Sequence, residues 1–226
     1  MKFPDRIVEI AKFIPNGCKM IDIGCDHCLL GIYMAKNRDT KNIIASDINP
    51  EPLLQAERNL ANFGLEDTVK IRLGNGLEVI ENNEIDTIVI SGLGGNKIVD
   101  ILNEIEVFDS IKNIVLQPNN NIYEVRYWLT RHGFFISDEK LMEENNNIYE
   151  ILLFKKGRRQ YNKKQLKYGP INLIEKTKLF HKKWNSHIDS VKKIIKQLPK
   201  RRIIKKTIFI FEIMEIRKVL KEKRSG

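Results

Sequence analysis

The chain lacks any apolar run of the ~18 residues that a membrane-spanning helix needs. Its opening, Met1-Lys2-Phe3-Pro4-Asp5, lacks the apolar core of a signal peptide and is interrupted by charge. The expected address is the cytoplasm, with no membrane partner. Cysteine is scarce. Cys18, Cys25 and Cys28 are the only three, and an odd, clustered set argues against a disulfide framework. Cys25-Asp26-His27-Cys28 has C-x-x-C spacing, but a structural zinc takes four ligands, usually from two such pairs, and there is no second pair. No metal is expected, and C-x-x-C alone is a weak redox signal. Internal repeats and low-complexity segments are also missing. What remains is 226 residues, 42% hydrophobic and 30% charged, enough for one soluble α/β domain with an appendage.

Acidic residues run short in one part of the chain. From Gly157 to Gly226 there are 22 Lys and Arg against 5 Asp and Glu, a surplus of +17, while the first 156 residues hold 17 against 24, a balance of −7. This asymmetry suggests a basic module that meets a polyanion, with nucleic acid the obvious partner, attached to a mildly acidic core. The competing reading is a solvated, lysine-rich helical hairpin.

The core is organised around Met20-Ile21-Asp22-Ile23-Gly24-Cys25-Asp26-His27. An apolar strand ends abruptly at Gly24, and an apolar stretch from Cys28 reads as a helix. Strand, tight turn and helix put this turn at the carboxyl end of a strand, where open α/β sheets bind ligands. The helix N-terminus adds unpaired N–H groups and partial positive charge. Asp47 ends a second apolar run, Ile43 to Ser46, about 20 residues on, where an acidic side chain takes ribose hydroxyls. The turn departs from G-x-G-x-x-G, having only Gly24 and Gly31, so pyrophosphate binding is poorly supported. A nucleoside ligand without phosphates, such as S-adenosylmethionine, fits better. The bland alternative is an ordinary strand–helix turn with a surface aspartate.

Further strands are expected at Val69–Leu73, Asp86–Ile90, Asn113–Gln117, Phe134–Glu143 and Ile148–Lys155, with helices between them from Asn49, Asn96 and Tyr123. The alternation closed by a hairpin implies a mixed, doubly wound sheet. Gly157–Lys167 reads as a polar connector and Tyr168-Gly169-Pro170 as a turn. Beyond it, Phe180, Trp184, Ile188, Val191, Ile195 and Leu198 form one apolar stripe, and Ile204, Ile208, Phe211, Glu215, Val219 and Leu220 a second. These are read as the internal seam of an antiparallel, coiled-coil-like helical pair. Domains are expected at 1–156 and 157–226.

Asp22-Ile23-Gly24-Cys25-Asp26-His27, Gly74-Asn75-Gly76-Leu77, Ile90-Ser91-Gly92-Leu93-Gly94-Gly95, Leu116-Gln117-Pro118-Asn119 and Tyr168-Gly169-Pro170 occur in this order. Together they resemble the TrmK family, bacterial S-adenosylmethionine-dependent tRNA (adenine(22)-N1)-methyltransferases. The resemblance covers nearly the whole chain. It implies a Rossmann-like class I methyltransferase domain with a mixed seven-stranded sheet, followed by a helical domain that grips tRNA. The cofactor set it implies is Asp22, Gly24, Cys25, Asp26, Asp47, Ile48, Asn75, Gly76, Ser91 and Gly92. The target base would sit at Ser91–Gly95, and the candidate catalytic residues are Asp26, His27, Ser91 and Asn119, against a helix-capping or core role for His27 and turn roles for Ser91 and Asn119. Asp26 would stabilise or deprotonate the methylated base, or else bind the cofactor's amino group. Candidate phosphate contacts are Lys163, Lys164, Lys182, Lys183, Lys192, Lys193, Arg201 and Arg202, with Lys167, Lys200, Lys205 and Lys206 beside them. A monomer is expected. Where the family turn usually reads Gly-Ser-Asp-His-Ala-Tyr-Leu-Pro, this chain has Gly24-Cys25-Asp26-His27-Cys28-Leu29-Leu30-Gly31 and so lacks the tyrosine.

Three other readings compete: a methyltransferase of another RNA or of protein, a non-catalytic RNA-binding protein that keeps the fold, and a dehydrogenase. The absence of an Asn/Asp-Pro-Pro-aromatic motif argues against the common N6-adenine and N5-glutamine methyltransferases. Intact Gly24 and Asp47 argue against the second, and the missing pyrophosphate glycine against the third.

Overall fold

The structure is a computed structural model that describes residues 2–103, 109–199 and 201–222. It divides into two compact units, Met1–Gly169 and Pro170–Gly226.

The first unit is built on seven strands: β1 (Lys19–Ile23), β2 (Asn42–Asp47), β3 (Val69–Leu73), β4 (Thr87–Ser91), β5 (Asn113–Gln117), β6 (Phe134–Glu144) and β7 (Asn147–Lys156). Their order in the sheet is β3-β2-β1-β4-β5-β7-β6. The first five are parallel, and β7 runs antiparallel to both β5 and β6. The near-continuous apolar runs of β1, β2, β4 and β5 follow from burial on both faces. Met20, Ile43, Ala45, Val89 and Val115 face one core layer; Ile21, Ile44, Ile88, Ile114 and Leu116 face the other. The first layer is closed by α1 (Asp5–Phe13), α2 (Leu29–Asn37) and α3 (Pro50–Phe63), the second by α4 (Gly95–Leu102) and α5 (Ile122–Arg131). Asn145 and Asn146 (φ 50° and 63°) form the two-residue β6–β7 turn, a conformation asparagine tolerates.

The expected boundary at 156/157 is displaced to 169/170. The segment read as a connector is tied to the sheet. Tyr161 exchanges hydrogen bonds with the Ile136 backbone through its hydroxyl (3.0 and 3.2 Å). Helix α6 (Lys163–Tyr168) follows, opened by a capping box in which Asn162 and Gln165 each accept from the other's backbone N–H at 2.9 Å. Buried Arg126 donates to the Leu166 carbonyl (3.3 Å) while pairing with Glu139 (2.7 Å) and Glu150.

The second unit consists of α7 (Pro170–Glu175), α8 (Lys178–Gln197) and α9 (Ile203–Lys221). On α8, Phe180, Trp184, Ile188 and Val191 are buried, as the spacing predicts. On α9 the expected seam holds at Val219 but not along most of its length. Ile213, Ile216 and Val219 are buried, whereas Ile204, Ile208 and Phe211 are 80%, 60% and 64% exposed. Because α9 carries apolar residues on opposite faces, spacing alone does not choose between them; packing against α8 does. Lys176 (5% exposed) closes the end of α9, its Nζ donating to the Val219 and Glu222 carbonyls at 2.7 Å each, a cation placed at a helix C-terminus.

Candidate active site

Strands β1 and β4 are neighbours whose helices pack on opposite faces of the sheet, which makes their carboxyl ends the switch point where such sheets bind ligands. A cavity of about 380 Å³ opens there. Its walls come from the ends of β1, β2 and β4, the turns that follow β1 and β4, and the start of α1. Eight of the candidate residues meet around it: Asp22, Gly24, Cys25, Asp26, His27, Asp47, Ser91 and Gly92.

The first turn owes its shape to positive φ at Gly24 (73°), Asp26 (49°) and Cys28 (59°). Glycine adopts this conformation freely; at Asp26 and Cys28 it is uncommon and strained. The Gly24 and Cys25 amides both donate to the Ser46 carbonyl (2.8 and 3.0 Å), fixing the turn to the end of β2. Asp26 projects outward, its side chain 73% exposed, with His27 Nε2 3.6 Å from Oδ1. That is beyond a normal hydrogen bond.

Asp22 differs from Asp26. It is 3% exposed, and its carboxylate makes no hydrogen bond or ion pair among the described residues. Burial above all, and then the nearby Asp47 charge, push its carboxyl up to about 7. Asp47 itself ends β2 with Oδ1 accepting from the Asn49 amide at 2.9 Å. Burial pushes all three thiols up, Cys18 to about 11, Cys28 to about 12 and Cys25 further still, so they stay protonated at neutral pH and are poor nucleophiles and ligands. Among the described residues, no group of three His, Cys, Asp or Glu side chains is arranged to hold a metal.

The second turn is clamped from β5. Asn119 Nδ2 donates to the Gly92 carbonyl (2.6 Å), its backbone amide donates to the Leu93 carbonyl (2.8 Å), and its Oδ1 accepts from Gln117 Nε2 (3.1 Å). Asn119 is therefore exposed, outside the cavity lining, and holds the turn in place. Gly95 is required by close approach: a Cβ there would sit 2.6 Å from the Asn120 carbonyl oxygen and 2.7 Å from that of Asn121. Ile48, Asn75 and Gly76 are outside the cavity lining. Ile48 is 57% exposed, and Asn75 and Gly76 open the short 3-10 turn Gly76–Val79. They adjoin the β2 end, since the Gly74 amide donates to the Asp47 carbonyl (3.0 Å).

Pro4, Arg6 and Ile7, at the start of α1, line the cavity too. The Arg6 guanidinium donates to Gln117 Oε1 (2.6 Å) and lies over the Tyr149 ring at 5.4 Å, while the Arg6 amide donates to Glu144 (3.0 Å). These partners are 111 to 143 residues away in the chain, so no local pattern signals them.

Of the candidate phosphate contacts, Lys163 and Lys164 belong to the first unit, on α6. Lys182, Lys183, Lys192 and Lys193 are on α8, Arg201 and Arg202 in the α8–α9 link, and Lys200 is outside the described residues. Lys192 pairs with Asp189 at 2.8 Å.

A seven-stranded sheet of this order, with an antiparallel hairpin at one edge and a cavity at the β1/β4 switch point, defines a Rossmann-like methyltransferase fold. Comparison with known proteins narrows this. The family model described as TrmK, tRNA (adenine(22)-N(1))-methyltransferase, matches residues 20–220, and the chain belongs to that family. It is 34% identical over 205 residues to the tRNA (adenine(22)-N(1))-methyltransferase of Bacillus subtilis, covering 88% of this chain and 86% of that protein. Among solved structures, a Streptococcus pneumoniae protein described as a putative tRNA (m1A22) methyltransferase in complex with S-adenosyl-L-methionine matches with a TM-score of 0.90 and 28% identity, covering 97% of this chain and 100% of that one. M. capricolum TrmK in complex with S-adenosyl-homocysteine matches with a TM-score of 0.86 and 30% identity, covering 97% of each chain.

Proposed function

We infer that this chain transfers a methyl group from S-adenosylmethionine to N1 of adenine 22 in tRNA. The observation that carries the reading is the buried, unpartnered Asp22 carboxylate at the wall of a cavity of about 380 Å³, beside Asp47. A carboxylate buried without a partner is costly, and an ammonium group in the cavity offsets that cost. The amino-acid end of S-adenosylmethionine carries one, so the residues present fit this cofactor. Asp22 holds the ammonium, Arg6 is the cation for its carboxylate, and Asp47 takes the ribose hydroxyls. Ile48, Asn75 and Gly76, next to Asp47, flank the adenine. When bound, the cofactor supplies an electrophilic methyl group on a sulfonium centre.

Adenine N1 is a usable nucleophile only when unpaired, so the base must leave the stack. Because the transfer is a single displacement, much of the protein's contribution is alignment. The turn from Ser91 to Gly95 presents its backbone to the base, and Asn119 fixes the shape of that turn. N1-methylation leaves positive charge on the ring until a proton departs from N6. Exposed Asp26, which lines the cavity, is proposed to stabilise that charge and accept the proton, with His27 beside it. Giving the ammonium to Asp22 resolves the two roles open to Asp26 in favour of the base.

The cations of α6, α8 and the α8–α9 link are proposed to meet backbone phosphates, giving salt-dependent affinity without reading sequence. Action as a monomer in the cytoplasm, where tRNA substrates are found, is part of the same proposal.

The test is methyl transfer from labelled S-adenosylmethionine to unmodified tRNA transcripts, with the product nucleoside identified by mass. The expected product is N1-methyladenosine, lost when adenine 22 is replaced. Label in another nucleoside, or none at all, refutes the reading.

A further inference from the structure

The outer face of α5 carries a ladder that methyl transfer does not use. Tyr123 and Tyr127, one turn apart, stack with ring centroids 6.0 Å apart and planes 13° from parallel. The Arg131 guanidinium, a further turn on, lies over the Tyr127 ring at 4.7 Å from its centroid. Tyr127 and Arg131 are exposed and Tyr123 half-buried. The helix is held to its unit by other residues: Val125, Arg126 and Leu129 are buried.

Tyr127 is thus covered on one side by Arg131 and on the other by Tyr123. Among the described residues, no further ring or guanidinium continues the stack past Tyr123. Side chains on a helix lean toward its N-terminus, so this open end leans toward Asn119–Asn121. Asn119 is bonded to the Gly92 carbonyl, and Gly92 lines the cavity. The open end of the ladder is thus directed toward the segment that is bonded to the cavity-lining turn.

We propose that Tyr123, backed by Tyr127 and Arg131, is a stacking platform for an unpaired nucleotide adjoining the base that enters the cavity. This rests on the RNA methyltransferase reading above. Extruding one base strips its neighbour of a stacking partner, and an aromatic ring replaces that partner whatever the base's identity. Arg131 adds a cation that stacks on Tyr127 and draws the phosphate backbone toward the ladder. The platform would govern how the RNA is held rather than how the methyl group moves.

The experiment uses the full-length protein and tRNA transcripts carrying 2-aminopurine, whose emission is quenched by stacking, on either side of adenine 22. Steady-state kinetics are measured in parallel on unmodified transcripts. For Tyr123→Leu, the expected result is a KM for tRNA raised about 10-fold, an unchanged KM for S-adenosylmethionine, and loss of the binding-induced emission change. Tyr123→Phe keeps the ring and should behave as wild type, and Arg131→Gln should raise the tRNA KM about threefold. A Tyr123→Leu protein with wild-type tRNA KM and emission overturns the proposal. So does one with a lowered Tm alone, which would mark the ladder as an intrahelical supporting pair. A wild-type protein that neither binds nor methylates tRNA overturns the function reading itself, so the two failures are distinct.

Discussion

The two units handle apolar and charged residues differently. In the first, helices cover both faces of the sheet, and strand residues such as Ile21, Ile44, Ile88, Val89 and Leu116 have almost no exposure. This enclosure lets a few charged groups sit inside, Asp22 at the cavity and Arg126 between Glu139 and Glu150. In the second unit, α8 and α9 share one seam, and α9 leaves Ile203, Ile204, Ile208, Phe211 and Met214 in solvent. Its charges are mostly at the surface, save for Lys176. A closed layer can shift a pKa and shape a cavity; a single seam supports a long, exposed, basic surface. The comparison fits the proposal that the first unit carries the chemistry while the second, together with α6, meets phosphates, and that proposal can be broken at several points.

The largest effect should come from Asp22. Asp22→Asn removes the only buried charge among the described residues at the cavity and should weaken S-adenosylmethionine binding about 100-fold, measured by calorimetry, as when one member of a buried ion pair is removed. The pH dependence of the wild type follows from the same group. A carboxylate unfolded near 3.8 and folded near 7 binds more protons in the folded state between those values. Stability of the ligand-free protein therefore falls as pH rises from about 4 to about 7. Cofactor binding needs the ionised form, so affinity should weaken by up to about tenfold per pH unit below 7, with proton uptake by the protein opposing it. At pH 8, Asp22→Asn should melt higher than wild type, a difference that vanishes near pH 3. An unaltered affinity would remove Asp22 from the cofactor site.

Gly95→Ala should come next. Its Cβ would meet two backbone oxygens, which cannot swing aside as a side chain can. The turn at Ser91–Gly94 must shift, and a displacement of about 1 Å near the reacting atoms costs about 100-fold in kcat. Cofactor affinity should change far less. Gly64→Ala is the control: φ is 63° but nothing lies within 4 Å, so only about 1 kcal/mol of stability is at stake, read by denaturant titration, with activity intact.

In the second unit the effects should be graded and salt-dependent. Lys193→Gln combined with Arg201→Gln and Arg202→Gln should raise the tRNA KM several-fold at low salt and flatten the salt dependence by about 0.7 for each phosphate no longer neutralised, leaving cofactor binding alone. A tRNA KM indifferent to all three would return this surface to a solvated helical pair.

The sheet and the site's strand ends were legible because both depend on short-range pattern. Strands buried on both faces read as apolar runs, and Gly24 and Gly92 punctuate them. Asp47 was legible because it ends such a run. Arg6 was not, because its role depends on Gln117 and Tyr149, which only the folded sheet brings near. The α6 capping box was written locally, as Asn162-Lys163-Lys164-Gln165, but a run of basic residues masked it as a connector. For Asn119 the sequence leaves a base contact and a turn role both open, since it gives a polar residue at a strand end but not which way its amide faces.

Except at Val219, the apolar stripe legible on α9 is not the buried one, and this sets the smallest expected effect. Ile204, Ile208 and Phe211 recur at helical spacing as well as a buried stripe does, so periodicity does not separate them from Ile213, Ile216 and Val219. Exposure does. Ile208→Gln at a 60% exposed site should change stability by no more than about 0.5 kcal/mol, whereas Ile216→Ala at a fully buried site should cost about 2–5 kcal/mol. Thermal melts of the two variants in the same buffer decide it. Equal destabilisation would mean that the outer stripe is covered in solution. Destabilisation at Ile216 alone would show that the second unit keeps a narrow seam and leaves an apolar stripe beside its cations.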